Sequence, residues 1–165
     1  MRQLLLALFF LPSLLFAQSE TLEIRGLVEK PQTLTVESFK KYPVQEGRDF
    51  KVVSASGQVR YTLESYRGVR LTDLLDAAVV QLPNQKEKGR YFVVATATDG
   101  YTAIFSHNDL FNNPTGEGVL VLFEENGKPI PAAQGAFVLI SLTDKISGAR
   151  HVKWLKTIDV RKVEE

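Results

Sequence analysis

The residues best suited to hold a ligand gather near the C-terminal end, in the stretch Ser147 to Val160, SGARHVKWLKTIDV. Arg150, His151 and Lys153 stand within four residues of one another and adjoin Trp154, the single tryptophan. The small residues Ser147, Gly148 and Ala149 precede them, so backbone can come close to a bound group while the following side chains donate to an anionic or polar ligand. A charged sheet edge anchored by a core tryptophan would use the same residue types. Strict strand alternation through this stretch puts His151, Lys153 and Leu155 on one face and Trp154 on the other. Trp154 then packs in the core, unless a bulge re-aims it to stack on the ligand.

Elsewhere the chemistry is sparse. His107 and His151 lie far apart and neither has a metal-site spacing; His107, in SHND, reads as an exposed neighbour of a helix cap. No nucleophile elbow, phosphate loop or dinucleotide fingerprint occurs. Asp99 and Asp109 have turn and helix-start roles that need no catalysis. Asp99 and Tyr101 flank a hairpin tip that could border a cleft, although an Asp-Gly turn accounts for them unaided. There is no cysteine, which removes thiol catalysis, thiolate metal ligands and disulfides together. A binding site is better supported than a catalytic one.

The first 17 residues, MRQLLLALFFLPSLLFA, read as a secretory signal: Arg2, an apolar run from Leu4 to Leu11, and Ala17 before a cleavage point, with cleavage after Ser19 as the alternative. The run is short for a membrane span, so the mature protein is expected to be exported, periplasmic and not inserted in a membrane. Residues 18–165 are enough for one domain with its own core. Loss of Arg2, the only charge in the signal, takes the formal net charge from +1 to zero, which argues against nucleic acid or an anionic lipid surface as the main partner.

The elements that must position these residues follow from pattern. Thr21 to Val28 alternates as a first strand. Thr35 is a candidate cap for a short helix that stops before Pro43. Phe50 to Ala55 and Gln58 to Leu63 read as a hairpin around Ser56-Gly57, and Tyr66 to Leu71 as a brief extended piece. Thr72 would cap LTDLLDAAVV, whose Leu74, Leu75, Ala78 and Val79 share one helical face. Tyr91 to Thr98 and Tyr101 to Phe105 form a second hairpin about Asp99-Gly100, and Ser106 caps a short turn through Phe111. Val119 to Glu124 and Phe137 to Leu142 are continuous apolar runs, expected in the middle of a sheet, with a tight turn at Asn126-Gly127 after the first. The class is α+β: mixed sheets, about eight strands, two short helices, one domain.

Three segments, YRGVRLTDLL at Tyr66 to Leu75, ENGKPIPAAQGAFVLIS at Glu125 to Ser141 and GARHVKWL at Gly148 to Leu155, together resemble the molybdopterin-binding domain of the sulfite oxidase family. LEIRGLVEKPQTLTVESF fits the start of that domain, so the similarity spans nearly all of the chain after the signal. The resemblance implies the sulfite oxidase fold and a ligand cleft at Arg150, His151 and Lys153, with Trp154 beside them as a candidate.

The departures from that family carry as much information. Its enzymes hold molybdenum through a cysteine on the segment that here reads VVSASG, where Ser54 or Ser56 stands instead. Gln134 replaces a histidine, and Leu139 falls where an arginine is expected. The chain is similar to exported, single-domain relatives that lack the cysteine and act as pterin-binding regulators. That similarity implies a free reduced pterin of tetrahydropterin type without molybdenum. It also implies a partner in the periplasmic portion of an inner-membrane diguanylate cyclase or phosphodiesterase, hence cyclic-di-GMP signalling and biofilm control. On this reading Ser54, Ser56, Asp99, Tyr101 and Gln134 border the same cleft. The alternatives are a molybdopterin-dependent oxidoreductase or an accessory subunit of one, and a ligand-free interaction module.

Overall fold

The computed structural model describes residues 20–164. The expected signal, residues 1–17, and both of its cleavage points lie outside the described residues. Among the described residues there are ten strands: β1 (Leu22–Gly26), β2 (Gln32–Leu34), β3 (Val44–Val53), β4 (Val59–Arg70), β5 (Tyr91–Ala97), β6 (Thr102–Ser106), β7 (Val119–Glu125), β8 (Lys128–Pro129), β9 (Val138–Ser141) and β10 (Leu155–Lys162). The α-helices are α1 (Leu71–Ala78) and α2 (His107–Phe111), and several 3₁₀ turns join the rest. One sheet runs β2-β1-β10-β5-β6; the other runs β3-β4-β7-β8, with β9 also paired to β7. β1 and β10 are parallel and every other ladder is antiparallel. The mixed-sheet α+β class expected from pattern is the one found. No helix among the described residues is long and apolar enough to cross a membrane.

Period-2 alternation decides where the core sits. Val119 and Val121 of β7 turn toward the other sheet and α1, where they join Leu22, Ile24, Leu74, Phe105 and Ile158; Leu120 and Leu122 turn the other way, to Phe50, Leu63 and Ile140. β7 is buried on both faces from Val119 to Leu122, which is why it opens on a continuous apolar run before its two glutamates. Phe39 is fully buried and anchors the 3₁₀ turn Val36–Lys41, stacked 4.9 Å from Phe137.

Caps formed where sequence placed two of them. Thr35 and Ser106 each make a reciprocal capping box, with Ser38 and Asp109 respectively. Thr72 is not a cap: α1 starts straight out of β4, its N-cap is Arg70, and no side chain bonds the helix start. The first hairpin is longer than its apolar pattern, since β3 and β4 pair from Val44↔Val69 to Val53↔Val59 and absorb the extended piece at Tyr66. Gly47 makes that possible: a Cβ there would lie 2.1 Å from the Tyr66 hydroxyl oxygen, so the ring covers the glycine. β9 is not a mid-sheet strand. It pairs with β7 alone, and its burial is completed by Val152, which exchanges two hydrogen bonds of 2.9 Å with Leu139 across its free edge.

Candidate functional site

Four pieces of chain meet around one open cleft of about 480 Å³. The tip of the β3–β4 hairpin brings Val52, Ser54 and Ala55, and β4 brings Arg60 and Tyr61. The β5–β6 turn brings Asp99 and Tyr101; the segment before β10 brings Ile146, Gly148, Ala149, His151, Lys153 and Trp154. Six of the nine candidate ligand residues therefore line one surface: Ser54, Asp99, Tyr101, His151, Lys153 and Trp154. Ser56, Gln134 and Arg150 do not.

The segment holding the cations is not a strand. Ser147–Arg150 is a 3₁₀ turn, and β10 begins only at Leu155, so the strand alternation expected for His151 to Leu155 does not apply. The turn is clamped from both sides. The buried Ser147 hydroxyl accepts from the Val53 N–H at 2.9 Å and donates to the Lys51 carbonyl at 2.7 Å. The Tyr101 hydroxyl donates to the Ala149 carbonyl at 2.8 Å. Gly148 is needed because a Cβ there would stand 2.7 Å from the Val53 carbonyl oxygen.

Trp154 adopts φ 50°, in the left-handed region, which is rare for a bulky residue. Its conformation is held from two directions: its N–H donates to the Gln134 carbonyl at 2.6 Å, and its carbonyl accepts from Thr98 N–H at 3.0 Å. The indole packs part-buried against the main core while also lining the cleft. With this kink Trp154 both packs against the core and lines the cleft.

The three cations separate into three roles. Arg150 is engaged by Asp144 through two nitrogens, Nε at 2.7 Å and Nη2, and its guanidinium lies 4.5 Å over the Phe105 ring. It braces the turn away from the cleft. His151 sits with the Tyr61 hydroxyl 3.3 Å from Nδ1 and 3.4 Å from Nε2. Burial, reinforced by the nearby Lys153 charge, lowers its pKa to about 4, so at neutral pH it is an uncharged hydrogen-bonding group. Lys153 alone of the three presents a charge to the cleft, its Nζ 5.0 Å from the centre of the Tyr61 ring. Burial first, then the Glu125 charge, pushes the Tyr61 hydroxyl up to about 12, against an opposing pull from Arg60, so it too is neutral.

The remaining predicted residues have partners that explain their positions. Ser54 Oγ donates to the Gln58 carbonyl at 3.0 Å and lies 3.0 Å from Ser56 Oγ. Asp99 Oδ1 accepts from the Tyr101 N–H at 2.9 Å, closing the turn. Gln134 Nε2 donates to Glu125 Oε1 at 2.6 Å behind the cleft. Leu139 is fully buried in the core. His107 is not exposed as expected: it is 7% accessible and stacked 4.7 Å from Phe111, because α2 turns it inward.

Arg60, Tyr61 and Glu125 went unrecognised in the sequence. Tyr61 had one usable signal, an aromatic residue close behind VVSASG on a strand. A wider depression of about 1100 Å³ at the far end of the first sheet includes none of the predicted residues, and Lys162 and Arg161 on its wall pair with Glu87 and Asp159. No cluster of three or more histidine or acidic residues among the described residues could hold a metal ion.

Comparison with known proteins shows the family and the fold. The oxidoreductase molybdopterin binding domain family matches residues 12–165. The uncharacterized oxidoreductase YuiH of Bacillus subtilis (strain 168) is 28% identical over 141 residues, covering 86% of this chain and 65% of that protein. The sulfane dehydrogenase SoxCD from Paracoccus pantotrophus superposes with a TM-score of 0.65 at 22% identity, over 90% of this chain and 40% of that one. The chain thus spans less than two thirds of either protein's length. By its sequence match over nearly the whole length, and with a fold that agrees, this chain belongs to the oxidoreductase molybdopterin-binding domain family.

Proposed function

We propose that the cleft binds a reduced pterin of the tetrahydropterin type without molybdenum, and that the protein is an exported regulator rather than an oxidoreductase. The observation that carries this reading is the pairing of a formed cleft with the wrong donors for the metal. At the hairpin tip, where the family resemblance implies a cysteine, Ser54 and Ser56 hydrogen-bond to each other, and Ser54 also donates to the Gln58 carbonyl. Hydroxyls already satisfied in this way are poor ligands for a metal that prefers sulfur, and the chain has no thiol to replace them. The donor set therefore does not fit molybdenum.

The organic part of the cofactor fits better. Tyr61 and Trp154 supply aromatic surface, and neutral His151, Ser54 and Lys153 supply a few hydrogen-bonding groups, which is what a flat heterocycle requires. A binder with no reaction of its own either reports occupancy to something else or serves only as a carrier. The partner we infer is the periplasmic portion of an inner-membrane protein that makes or degrades cyclic-di-GMP, with biofilm formation as the output.

The reading is tested on protein purified from a host that makes molybdenum cofactor. Elemental analysis should find molybdenum far below one per chain, and anaerobic addition of a tetrahydropterin should raise the melting temperature. About one molybdenum per chain would instead establish the oxidoreductase alternative. No metal and no thermal shift with any pterin would leave a ligand-free interaction module.

A further inference from the structure

Behind the aromatic wall of the cleft lies a carboxylate with an oxygen that nothing satisfies. Glu125, at the end of β7, is 6% exposed. Its Oε1 accepts from Gln134 Nε2 at 2.6 Å, while its Oε2 and the Gln134 Oε1 are both buried without a hydrogen-bond partner among the described residues. Two unpartnered acceptors therefore stand on two side chains joined by one hydrogen bond. Buried acceptors of this kind are costly unless a donor reaches them.

Their neighbours set their place. The Glu125 charge acts on the Tyr61 phenol, and the Gln134 main-chain carbonyl receives the Trp154 N–H. Tyr61 and Trp154 both line the cleft. The Gln134 main chain thus adjoins Trp154, and the Glu125 carboxylate is near enough to Tyr61 for its charge to act on the phenol.

We propose that Glu125 and Gln134 are the specificity-determining pair of the cleft, and that they read the donor edge of a 2-amino-4-oxopyrimidine ring. This rests on the pterin reading above and deepens it by assigning the ring's orientation. In such a ring the 2-amino group and the adjacent N3–H are parallel donors, and a carboxylate matches that pair as it matches a guanidinium. Glu125 Oε2 takes one donor, and Gln134 Oε1 is placed for a second. Both acceptors are closed to solvent, so access requires a side-chain rotation of Tyr61 or Trp154. Pterins and guanines carry this edge. Lumazines, with a carbonyl in place of the 2-amino group, turn an acceptor toward the carboxylate and are rejected.

The experiment is anaerobic calorimetric titration of the purified chain with reduced 6-methylpterin, with 6-methyllumazine at the same oxidation level, and with guanosine. The parent should bind the pterin roughly 10- to 100-fold more tightly than the lumazine, the range a hydrogen bond to a charged group supplies. Glu125→Gln should shrink that preference to within a few-fold, and Gln134→Leu should weaken pterin binding with little effect on lumazine. If Glu125→Gln fails to fold, the parent's pterin-to-lumazine ratio and the Gln134→Leu variant still decide. Equal affinity of the parent for pterin and lumazine overturns the recognition pair while leaving a pterin cleft in place. A preference for guanosine supports the pair and overturns the pterin assignment. Binding of none of the three overturns both.

Discussion

Replacing Ser147 with alanine should damage both the stability of the domain and the shape of its cleft, because one hydroxyl joins two walls. Ser147 is 1% exposed and its Oγ closes a pair of hydrogen bonds with the edge of β3, accepting from Val53 and donating to Lys51. The side chain stands in for a neighbouring strand at the place where β3 has none. Each such bond contributes about 0.5–1.5 kcal/mol net, and without the hydroxyl the Val53 N–H and Lys51 C=O lose their partner together. Lys51 is exposed and its carbonyl can be rehydrated, whereas Val53 is half-buried, so the loss should be about 2 kcal/mol. For a domain of this size that lowers the melting temperature by about 4–8 °C. Paired calorimetric melts and pterin titrations measure both effects, with affinity falling as the Ser147–Arg150 turn loosens. Ser56→Ala is the control: it removes an exposed hydroxyl at the same hairpin tip and should change stability by no more than about 0.5 kcal/mol. A Ser147→Ala melt within a degree of the parent, with unchanged affinity, would refute the idea that this hydroxyl ties the walls together.

Lys153→Ala should weaken pterin binding about tenfold or more while leaving the melt nearly unchanged, since its ammonium rests at the cleft over the face of Tyr61. Trp154→Ala should lower both quantities, with a stability loss of about 3 kcal/mol, because the indole packs on the core as well as lining the cleft. A lowered melt with intact affinity would confine the indole to the core. Stability should also fall on acidification. His151 is lowered to about 4 in the folded protein against 6.5 unfolded, so the unfolded chain binds the extra proton in that interval and the contribution of neutral His151 is complete above pH 6.5 and lost as pH falls toward 4. Buried His107 shifts in the same direction, through burial and the Lys88 charge. Denaturant titrations at several pH values should therefore show a slope that His151→Gln reduces without abolishing; an unchanged slope would place His151 in a more solvated setting.

What could be read from the sequence was mostly local. The Asp99-Gly100 and Asn126-Gly127 turns need a residue at positive φ, and Gly100 and Gly127 provide it at 88° and 71°. Thr35 and Ser106 were legible because each has a side chain three residues on that completes a capping box. The full length of β3 was not legible. Outside its last turn its edge faces solvent, so charges and Gly47 interrupt the apolar period, and pairing with β4 holds the strand instead. β9 misled in the other direction. Its apolar run is the same whether a strand is central or an edge strand closed by the Val152 bridge.

The candidate site was legible in its parts and misread in its charge. Arg150, His151 and Lys153 look like one cationic cluster when written in a line, but their surroundings differ. Asp144, six residues before Arg150, takes the arginine out of the cleft, and nothing in the spacing marks that pairing. Burial against Tyr61 leaves His151 neutral. The cleft wall then carries the cations Arg60 and Lys153 against the carboxylate of Asp99, with the Glu125 carboxylate close behind. An anion entering such a site would meet a single net positive charge at the wall, offset by the buried negative group of Glu125. A neutral ring that presents N–H donors inward and leaves its oxygen atoms near Lys153 meets favourable fields at both ends. On the pterin proposal, the pairing of Arg150 with Asp144 and the neutrality of His151 thus leave a cleft whose electrostatics suit an uncharged, donor-rich heterocycle.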